Sequence, residues 1–332
     1  MSSGTTSVLE MPPVAGIIRR MKTSLLPILA AVGILSATLI AGDYKADFAK
    51  LKKDVPKEKM EKHLAAWRKR EPQNPGAWIM SSNWTMERAD GVEMRGKNGE
   101  KLPEGKYNME ERDGRVLILG KDGGVVGEMV SSTNPDGVRK AAAFLAEALK
   151  KWPHRGDIHC GLATIYGRDG FWKEHVEAVE GFAKAARANP GKMRWCHDEA
   201  PAQKEEEFIA GTLHDFAIRQ YEKETPEGDG RFLAIAKLIV ETCPKSAKGY
   251  NDLAIGYSLG KNWEAAQPVL EKGVEVVPDD SILWMNLGEN SVKAGKKDVA
   301  RKAFKHVIEM KPAKEMMEDA KGKLEKLEKE GA

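Results

Sequence analysis

The sequence predicts a mainly α-helical chain, an α-solenoid of helix-turn-helix repeats that carries a small inserted β-meander. Three observations predict this fold class. Prolines recur at intervals of 34 residues, at Pro244, Pro278 and Pro312. Apolar residues between these prolines follow helical spacing. In contrast, residues 89–131 alternate short β-prone segments with Asn-Gly and Asp-Gly turns. A fixed period of this length indicates similar units stacked along the chain.

The composition is that of a globular protein without a nucleic-acid footprint. Of 332 residues, 41% are hydrophobic and 31% are charged. Lysines and arginines number 53, and acidic residues number 50. Binding to a phosphate backbone requires a clustered excess of basic residues, whereas the net charge of +3 is spread along this chain. We therefore expect no nucleic-acid partner.

The N-terminus indicates export from the cytoplasm. An apolar run, residues 25–41, follows the basic stretch 19–22 and precedes a polar chain that begins at Asp43. This order is typical of a secretory signal peptide, with Met21 as an alternative start. We predict that residues 1–42 are such a signal and that the mature protein is periplasmic or secreted. Because the run approaches the length of a membrane span, an anchor formed by residues 25–41 is the alternative.

The last two periods, residues 247–280 and 281–314, align without a gap. Five positions carry the alignment, pairing Tyr250 with Trp284, Leu253 with Leu287, Ala254 with Gly288, Ala266 with Ala300, and Leu270 with Phe304. The pattern resembles the tetratricopeptide repeat family, of a bacterial secreted or periplasmic type, which reads W-x2-L-G-x2-Y, then A-x3-F, then P. The resemblance implies two antiparallel helices per repeat. Ser291 departs from it, because an aromatic residue is expected at that position.

Weaker forms of the pattern flank the predicted meander. Residues 43–88 are expected to form N-terminal helices of the same type, and residues 132–246 degenerate repeats. The helix predicted in 72–88 would pair with the one that follows the insertion, so that the meander interrupts one repeat. Residues 315–332 are expected to form a helix that caps the last repeat. The glycine-rich stretch at 120–124 is interpreted as a hairpin turn, because it lacks the Gly-Lys-Ser/Thr of a phosphate loop.

The three cysteines offer one candidate for metal chemistry. His159 and Cys160 on one repeat, with Cys196 and His197 on the next, suggest a zinc site. Adjacent side chains on a helix diverge by about 100 degrees, however, so His159 and Cys160 cannot readily bind one ion, and no close C-x2-C spacing is present. We therefore predict no metal and no cofactor. Cys160 and Cys196 could instead form a disulfide or pack as free thiols.

No catalytic motif is apparent. His214 and Asp215 adjoin one another, but no G-x-S-x-G elbow supplies a nucleophile to complete a triad. We therefore predict that the protein is not an enzyme.

The resemblance to tetratricopeptide repeats implies a binding surface, because these proteins usually bind peptides or proteins on a concave face lined by the first helix of each repeat. Carried over to the two clear repeats, it assigns seven residues to partner binding, namely Lys248, Asn251, Ile255, Ser258, Met285, Glu289 and Val292. They lie away from the leucines that pack the repeat. The set lacks the paired lysines and asparagines with which chaperone-binding relatives hold a terminal carboxylate.

The sequence therefore predicts a non-catalytic scaffold of the cell envelope that binds a protein or peptide partner. Two alternatives stay open. The chain could be a regulatory or metal-binding subunit of an extracytoplasmic enzyme, or a membrane-anchored structural spacer. Contact with a membrane is expected only through an uncleaved N-terminal segment, and the sequence sets no oligomeric state.

Overall fold

The computed structural model describes residues 47–103, 107–112, 115–201 and 203–329. The predicted signal or anchor, residues 1–42, lies outside these ranges, and no described helix is both long and apolar enough to cross a membrane. The described residues divide into two units. The N-terminal unit comprises Gly42–Ala178 with Arg194–Asp198, and the C-terminal unit comprises Val179–Met193 with the chain from Glu199 onward.

The N-terminal unit contains a series of helices interrupted by a sheet. After a first helix over residues 47–54, α1, and a short 3-10 turn at Lys57–Lys59, the helices are α2 (Met60–Arg70), α3 (Gly76–Ala89), α4 (Pro135–Lys151), α5 (Gly156–Arg168) and the beginning of α6 (Trp172–Ala188). Although the sheet separates α3 from α4 in sequence, the two helices pack against each other. Their contact buries Trp78 and Ile79 with Leu145 and Ala148. The sheet is therefore an insertion within one helix pair.

Four antiparallel strands form the inserted sheet. They are β1 (Asp90–Gly96), β2 (Asn108–Arg112), β3 (Arg115–Leu119) and β4 (Val125–Thr133). Gly99 and Gly123 have φ values of 83° and 78°, in the left-handed region that glycine enters without steric cost. These two glycines complete the Asn-Gly and Asp-Gly turns that the sequence predicts.

The strand order is β1-β4-β3-β2, which differs from the order of a simple meander, where neighbours in sequence pair in turn. The helices explain this difference. Strand β1 continues directly from α3 and β4 leads into α4, so the packing of the two helices brings their attached strands together. The backbone N–H of Asn134 donates to the carbonyl of Ala89 at 2.9 Å and closes the base of the insertion. The β2–β3 hairpin then extends the sheet from the free edge of β4.

The C-terminal unit is a run of helical hairpins. Its helices are the end of α6, then α7 (Glu205–Tyr221), α8 (Pro226–Thr242), α9 (Ala247–Leu259), α10 (Trp263–Val276), α11 (Ser281–Lys293), α12 (Lys297–Met310) and α13 (Lys314–Lys329). Helices α7 and α8, α9 and α10, and α11 and α12 pack as pairs. Ser246 and Asp280, one period apart, cap α9 and α11 by accepting the backbone N–H of the residue three positions later. The predicted class, helix-turn-helix repeats with a small inserted sheet, is confirmed.

A hydrogen bond to a proline carbonyl explains why aromatic residues and prolines recur together. The hydroxyl of Tyr250 donates to the carbonyl of Pro244 at 2.9 Å, and the indole N–H of Trp284 donates to that of Pro278 at 2.8 Å. Each bond spans six residues. It ties the start of a first helix to the turn before it and satisfies a carbonyl at a helix end.

Small residues let the paired helices approach closely. A Cβ atom on Gly288 would lie 2.4 Å from Cε1 of Phe304, which is completely buried. Phe304 and Val307 form one cluster with Ala320 and Leu327 of α13, so the last helix covers the apolar side of α12. Any side chain at position 288 would displace the phenyl ring from this cluster.

A buried polar cluster occupies the place of the missing aromatic residue in the last repeat. The Ser291 hydroxyl lies 3.0 Å from Nε2 and 3.1 Å from Oε1 of Gln267, a fully buried residue of α10. Asn290 donates to the same Oε1 at 2.8 Å and to the carbonyl of Trp263 at 3.0 Å. Hydrogen bonds between α10 and α11 therefore replace the apolar contact that the family pattern would supply.

We predict that Gly288→Ala lowers the free energy of unfolding by about 1–3 kcal/mol, because the new methyl group overpacks the site against Phe304. The matched control is Gly322→Ala on the capping helix, where an added Cβ meets no atom within 4 Å. There the better helix propensity of alanine should raise stability by about 0.5–1 kcal/mol. Urea denaturation followed by circular dichroism measures both changes, and equal effects of the two variants would contradict the packing argument.

Candidate interaction surface

The first helices of the C-terminal repeats line up side by side. Helix α9 packs against α7 on one side and α11 on the other. Tyr250 and Ala254 face the second helices, because they share a core with Ala266 and Leu270 of α10. The opposite side of α7, α9 and α11, here called the inner face, carries the residues that the resemblance assigns to partner binding.

Side-chain contacts join neighbouring first helices along the inner face. Between α7 and α9, Nδ1 of His214 lies 2.6 Å from Oδ2 of Asp252. Between α9 and α11, the amide of Asn286 donates to Oδ1 of Asn251 at 2.8 Å. At the last junction, Glu289 of α11 pairs with the ammonium of Lys323 on α13 at 3.1 Å. These contacts fix the spacing of the helices that form the surface.

Burial separates the seven predicted residues into two groups. Lys248 is exposed, Asn251, Ile255 and Ser258 are half-buried, and Val292 is 39% exposed. Met285 and Glu289, in contrast, are only 7% and 9% exposed. The capping helix is the reason, since Met285 belongs to the cluster that contains Ala320 and Glu289 is held by Lys323. The folded chain therefore withdraws these two residues from direct contact with a partner.

Ile282 belongs to the surface, although it is not among the seven predicted residues. Its side chain is 44% exposed, and it lies one helical turn before Asn286 on the same face. The signal was present, because Ile282 is the residue one 34-residue period after Lys248. We define the inner-face patch as the six accessible residues Lys248, Asn251, Ile255, Ser258, Ile282 and Val292.

Two buried carboxyl groups have perturbed titration. Burial raises the pKa of Asp252, and the neighbouring His214 acts in the opposite direction. Burial likewise raises the pKa of Glu289, opposed by Lys323. For a carboxyl group with a raised folded-state pKa, stability is lost as pH rises between the unfolded and folded pKa values. The partners His214 and Lys323 limit this loss.

His159 has the role of a repeat anchor in the N-terminal unit. Its Nε2 lies 3.0 Å from the carbonyl of Pro153, six residues earlier, as Tyr250 and Trp284 do with their prolines. The pKa of His159 is lowered, chiefly by burial, which favours a neutral ring that donates from Nε2. The ring that the zinc hypothesis required as a ligand is thus directed to a backbone carbonyl.

The cysteines are buried thiols in the structure. Cys160 and Cys196 lie in the N-terminal unit and Cys243 in the C-terminal unit. Burial raises the pKa of the Cys243 thiol to about 12, so this group stays neutral at physiological pH. Within the described residues, no group of three or more His, Cys, Asp or Glu side chains is placed to hold a metal ion.

Comparison with known proteins finds likeness in fold. No protein-family model and no curated protein matches the chain. Among solved structures it is similar to YrrB, described as a TPR protein with an unusual peptide-binding site, with 14% identity and a TM-score of 0.34 over 56% of this chain and 84% of that one. It is also similar to MamA, with 15% identity and a TM-score of 0.33; this match covers 53% of this chain and 89% of that one. The third example is pilF of Pseudomonas aeruginosa, with 12% identity and a TM-score of 0.33; the match covers 58% of this chain and 82% of that one.

The fold is of the tetratricopeptide type. The helical hairpins, the period of 34 residues and the anchoring bonds at Tyr250 and Trp284 support this conclusion from the chain itself. The identities and TM-scores to the solved structures are low, and no ligand of those proteins is carried over to this chain.

We predict that Lys323→Met destabilises the C-terminal unit by about 1–3 kcal/mol at pH 7, because Glu289 then stays buried without its cation. The loss should shrink as pH falls, and it should begin to do so above the usual carboxyl pKa of about 4, because burial raises the pKa of Glu289 and Lys323 no longer opposes that effect. Thermal unfolding at several pH values measures this dependence. Lys321→Met, at an exposed position on the same helix, is the control and should change stability by less than about 0.5 kcal/mol. A loss that does not vary with pH would contradict the role assigned to the pair.

Proposed function

We propose that this protein is a non-catalytic scaffold that binds a peptide segment of a protein partner on the inner-face patch. One observation carries the proposal. Ile282 and Val292, with 44% and 39% exposure, are large apolar side chains left accessible on helices whose spacing is fixed by side-chain contacts. When a partner removes such a group of apolar side chains from water, the free energy of the complex is lowered.

The rigidity of the surface supports binding. Because Asn251 of the patch is held by Asn286 of the neighbouring first helix, little of its side-chain freedom is lost when a partner docks. The patch combines apolar groups with the amide of Asn251 and the ammonium of Lys248, which suits a segment that is itself partly apolar and carries an acidic group.

The polar groups of the inner face support a role in binding over one in catalysis. The Ser258 hydroxyl donates to the carbonyl of Ala254 at 2.8 Å, within its own helix. His214 is paired with Asp252, and its geometry links two helices of the scaffold. A nucleophile needs a neighbouring base to remove its proton, and Ser258 is turned to a backbone carbonyl instead.

We further propose that the scaffold works in the cell envelope. The support is the order of basic, apolar and polar segments in residues 1–43, which is that of a secretory signal. The chain has only three cysteines, so its fold does not depend on a disulfide framework. This low cysteine content is compatible with export.

The first experiment tests the patch by replacing its exposed apolar residues. We expect Ile282→Ser with Val292→Ser to weaken partner binding about tenfold or more, because two buried apolar side chains are lost from the interface. Protein purified from envelope fractions under mild conditions identifies the co-purifying partner, and calorimetry with that purified partner gives the affinity. The matched control is Val92→Ser with Val116→Ser on the sheet, at side chains 65% and 36% exposed. Loss of binding in the control, with binding retained in the patch variant, would refute this location.

The second experiment concerns the compartment. N-terminal sequencing should show that the mature protein begins near Asp43. The apolar run ends at the small residues Ala41 and Gly42, which a signal peptidase accepts. A mature chain that retains residues 25–41 would favour the membrane anchor. Recovery of the full chain in the cytoplasmic fraction would contradict the envelope role.

A further inference from the structure

A cavity in the N-terminal unit has the size of a small-molecule site. Its volume is about 470 Å³, and it lies between α1, the turn from α2 into α3, and the 3-10 turn Cys196–Asp198. Ligand sites usually measure about 300–1,000 Å³. The apolar part of the cavity lining, here called the apolar side, consists of Leu51, Trp67, Pro75 and Met80.

Hydrogen bonds hold the apolar side in place. The indole N–H of Trp67 donates to Glu71 at 2.8 Å. Asn74 donates to the same carboxylate at 3.0 Å and accepts the backbone N–H of Gly76, also at 3.0 Å. The ring of Trp67 is thus fixed before any ligand arrives, which lowers the entropic cost of binding.

Another part of the lining is a strained segment that is tied to α5. The backbone N–H of Gly156 donates to the carbonyl of Arg194 at 2.8 Å, and the N–H of Arg194 donates to the carbonyl of His154 at 2.9 Å. His197 and Asp198 follow with φ values of 57° and 64°. Two successive residues other than glycine in the left-handed region are uncommon, and this backbone directs both of them to the cavity.

The charged groups give the cavity a net negative charge. They are Asp47, Lys50, Asp54, Arg155, His197 and Asp198. Arg155 is compensated within the protein, because its guanidinium makes two hydrogen bonds of 2.9 and 2.7 Å to the buried carboxylate of Asp157. The other groups are three carboxylates, the ammonium of Lys50 and His197, whose Nε2 lies 3.9 Å from Oδ2 of Asp47, so the acidic groups outnumber the basic ones even if the imidazole is counted as a cation. An anionic ligand would therefore be repelled, and a cation attracted.

We propose that this cavity binds an organic cation, an alkyl chain that ends in an ammonium or guanidinium group. The carboxylates would pair with the cationic group, and the apolar side would cover the chain. Trp67 adds a ring on which a cation is favourably placed. A hydrated inorganic cation would gain nothing from the apolar residues, whereas an alkyl ammonium or guanidinium uses both the apolar and the acidic parts of the lining. The source is either a free amine or a lysine or arginine side chain of another protein.

The test is calorimetric titration of the purified protein with defined probes. Agmatine and cadaverine represent free cations, 1-pentanol is a neutral chain, and acetyl-Ala-Arg-Ala-amide presents the side chain in a peptide, with its citrulline counterpart as the neutral match. We expect at least one cationic probe to bind and the neutral ones not to bind. Preference for the free amines indicates a small-molecule ligand, and preference for the peptide indicates a side chain of a partner.

Variants locate the binding in this cavity. Asp54→Asn with Asp198→Asn should weaken binding about tenfold or more, because two of the three carboxylates lose their charge. Asparagine tolerates the left-handed backbone at position 198, so the fold should be kept. The control is Asp279→Asn with Glu325→Gln, two exposed acids of the C-terminal unit with the same change in charge. Failure of every cationic probe, equal binding of 1-pentanol, or an equal effect of the control would each overturn the proposal.

Discussion

The hydrogen bond between the start of a first helix and the proline carbonyl six residues earlier is the constraint on which the repeats depend. Tyr250 and Trp284 make this bond in the C-terminal unit, and His159 makes it in the N-terminal unit. The bond sets the angle at which each first helix leaves the preceding turn, because it closes that turn on a rigid ring. A phenol, an indole and an imidazole can each make this bond, because each is a flat ring that carries a hydrogen-bond donor at its edge.

Packing within the repeats then determines which side chains reach the surface. Gly288 allows Phe304 to approach α11, and the second-helix residues occupy one side of each first helix. Polar contacts between neighbouring first helices occupy part of the other side, as between Asn251 and Asn286. What is left accessible is a narrow, mixed surface. The same geometry that stabilises the stack therefore defines the candidate binding site.

The two units solve the problem of buried charge in similar ways. Arg155 and Asp157 form a bidentate pair with both side chains 3% exposed, and Glu289 is matched by Lys323. Pairing is required because an isolated ion in a dry interior costs several kcal/mol. In the N-terminal unit this pairing also neutralises the most deeply buried cation beside the cavity, so the carboxylates at its rim determine the local charge.

The sequence by itself determined the helix pairs, their period and the turn glycines, because these follow from local spacing and backbone preference, as at Pro278 and Gly123. It also predicts most residues of the proposed surface, since positions repeat every 34 residues. Only the tertiary structure decided the burial of Met285 and the anchoring role of His159, because both depend on groups that no local pattern specifies. The pairing of β1 with β4 was likewise decided by the packing of α3 on α4, a contact between segments distant in sequence.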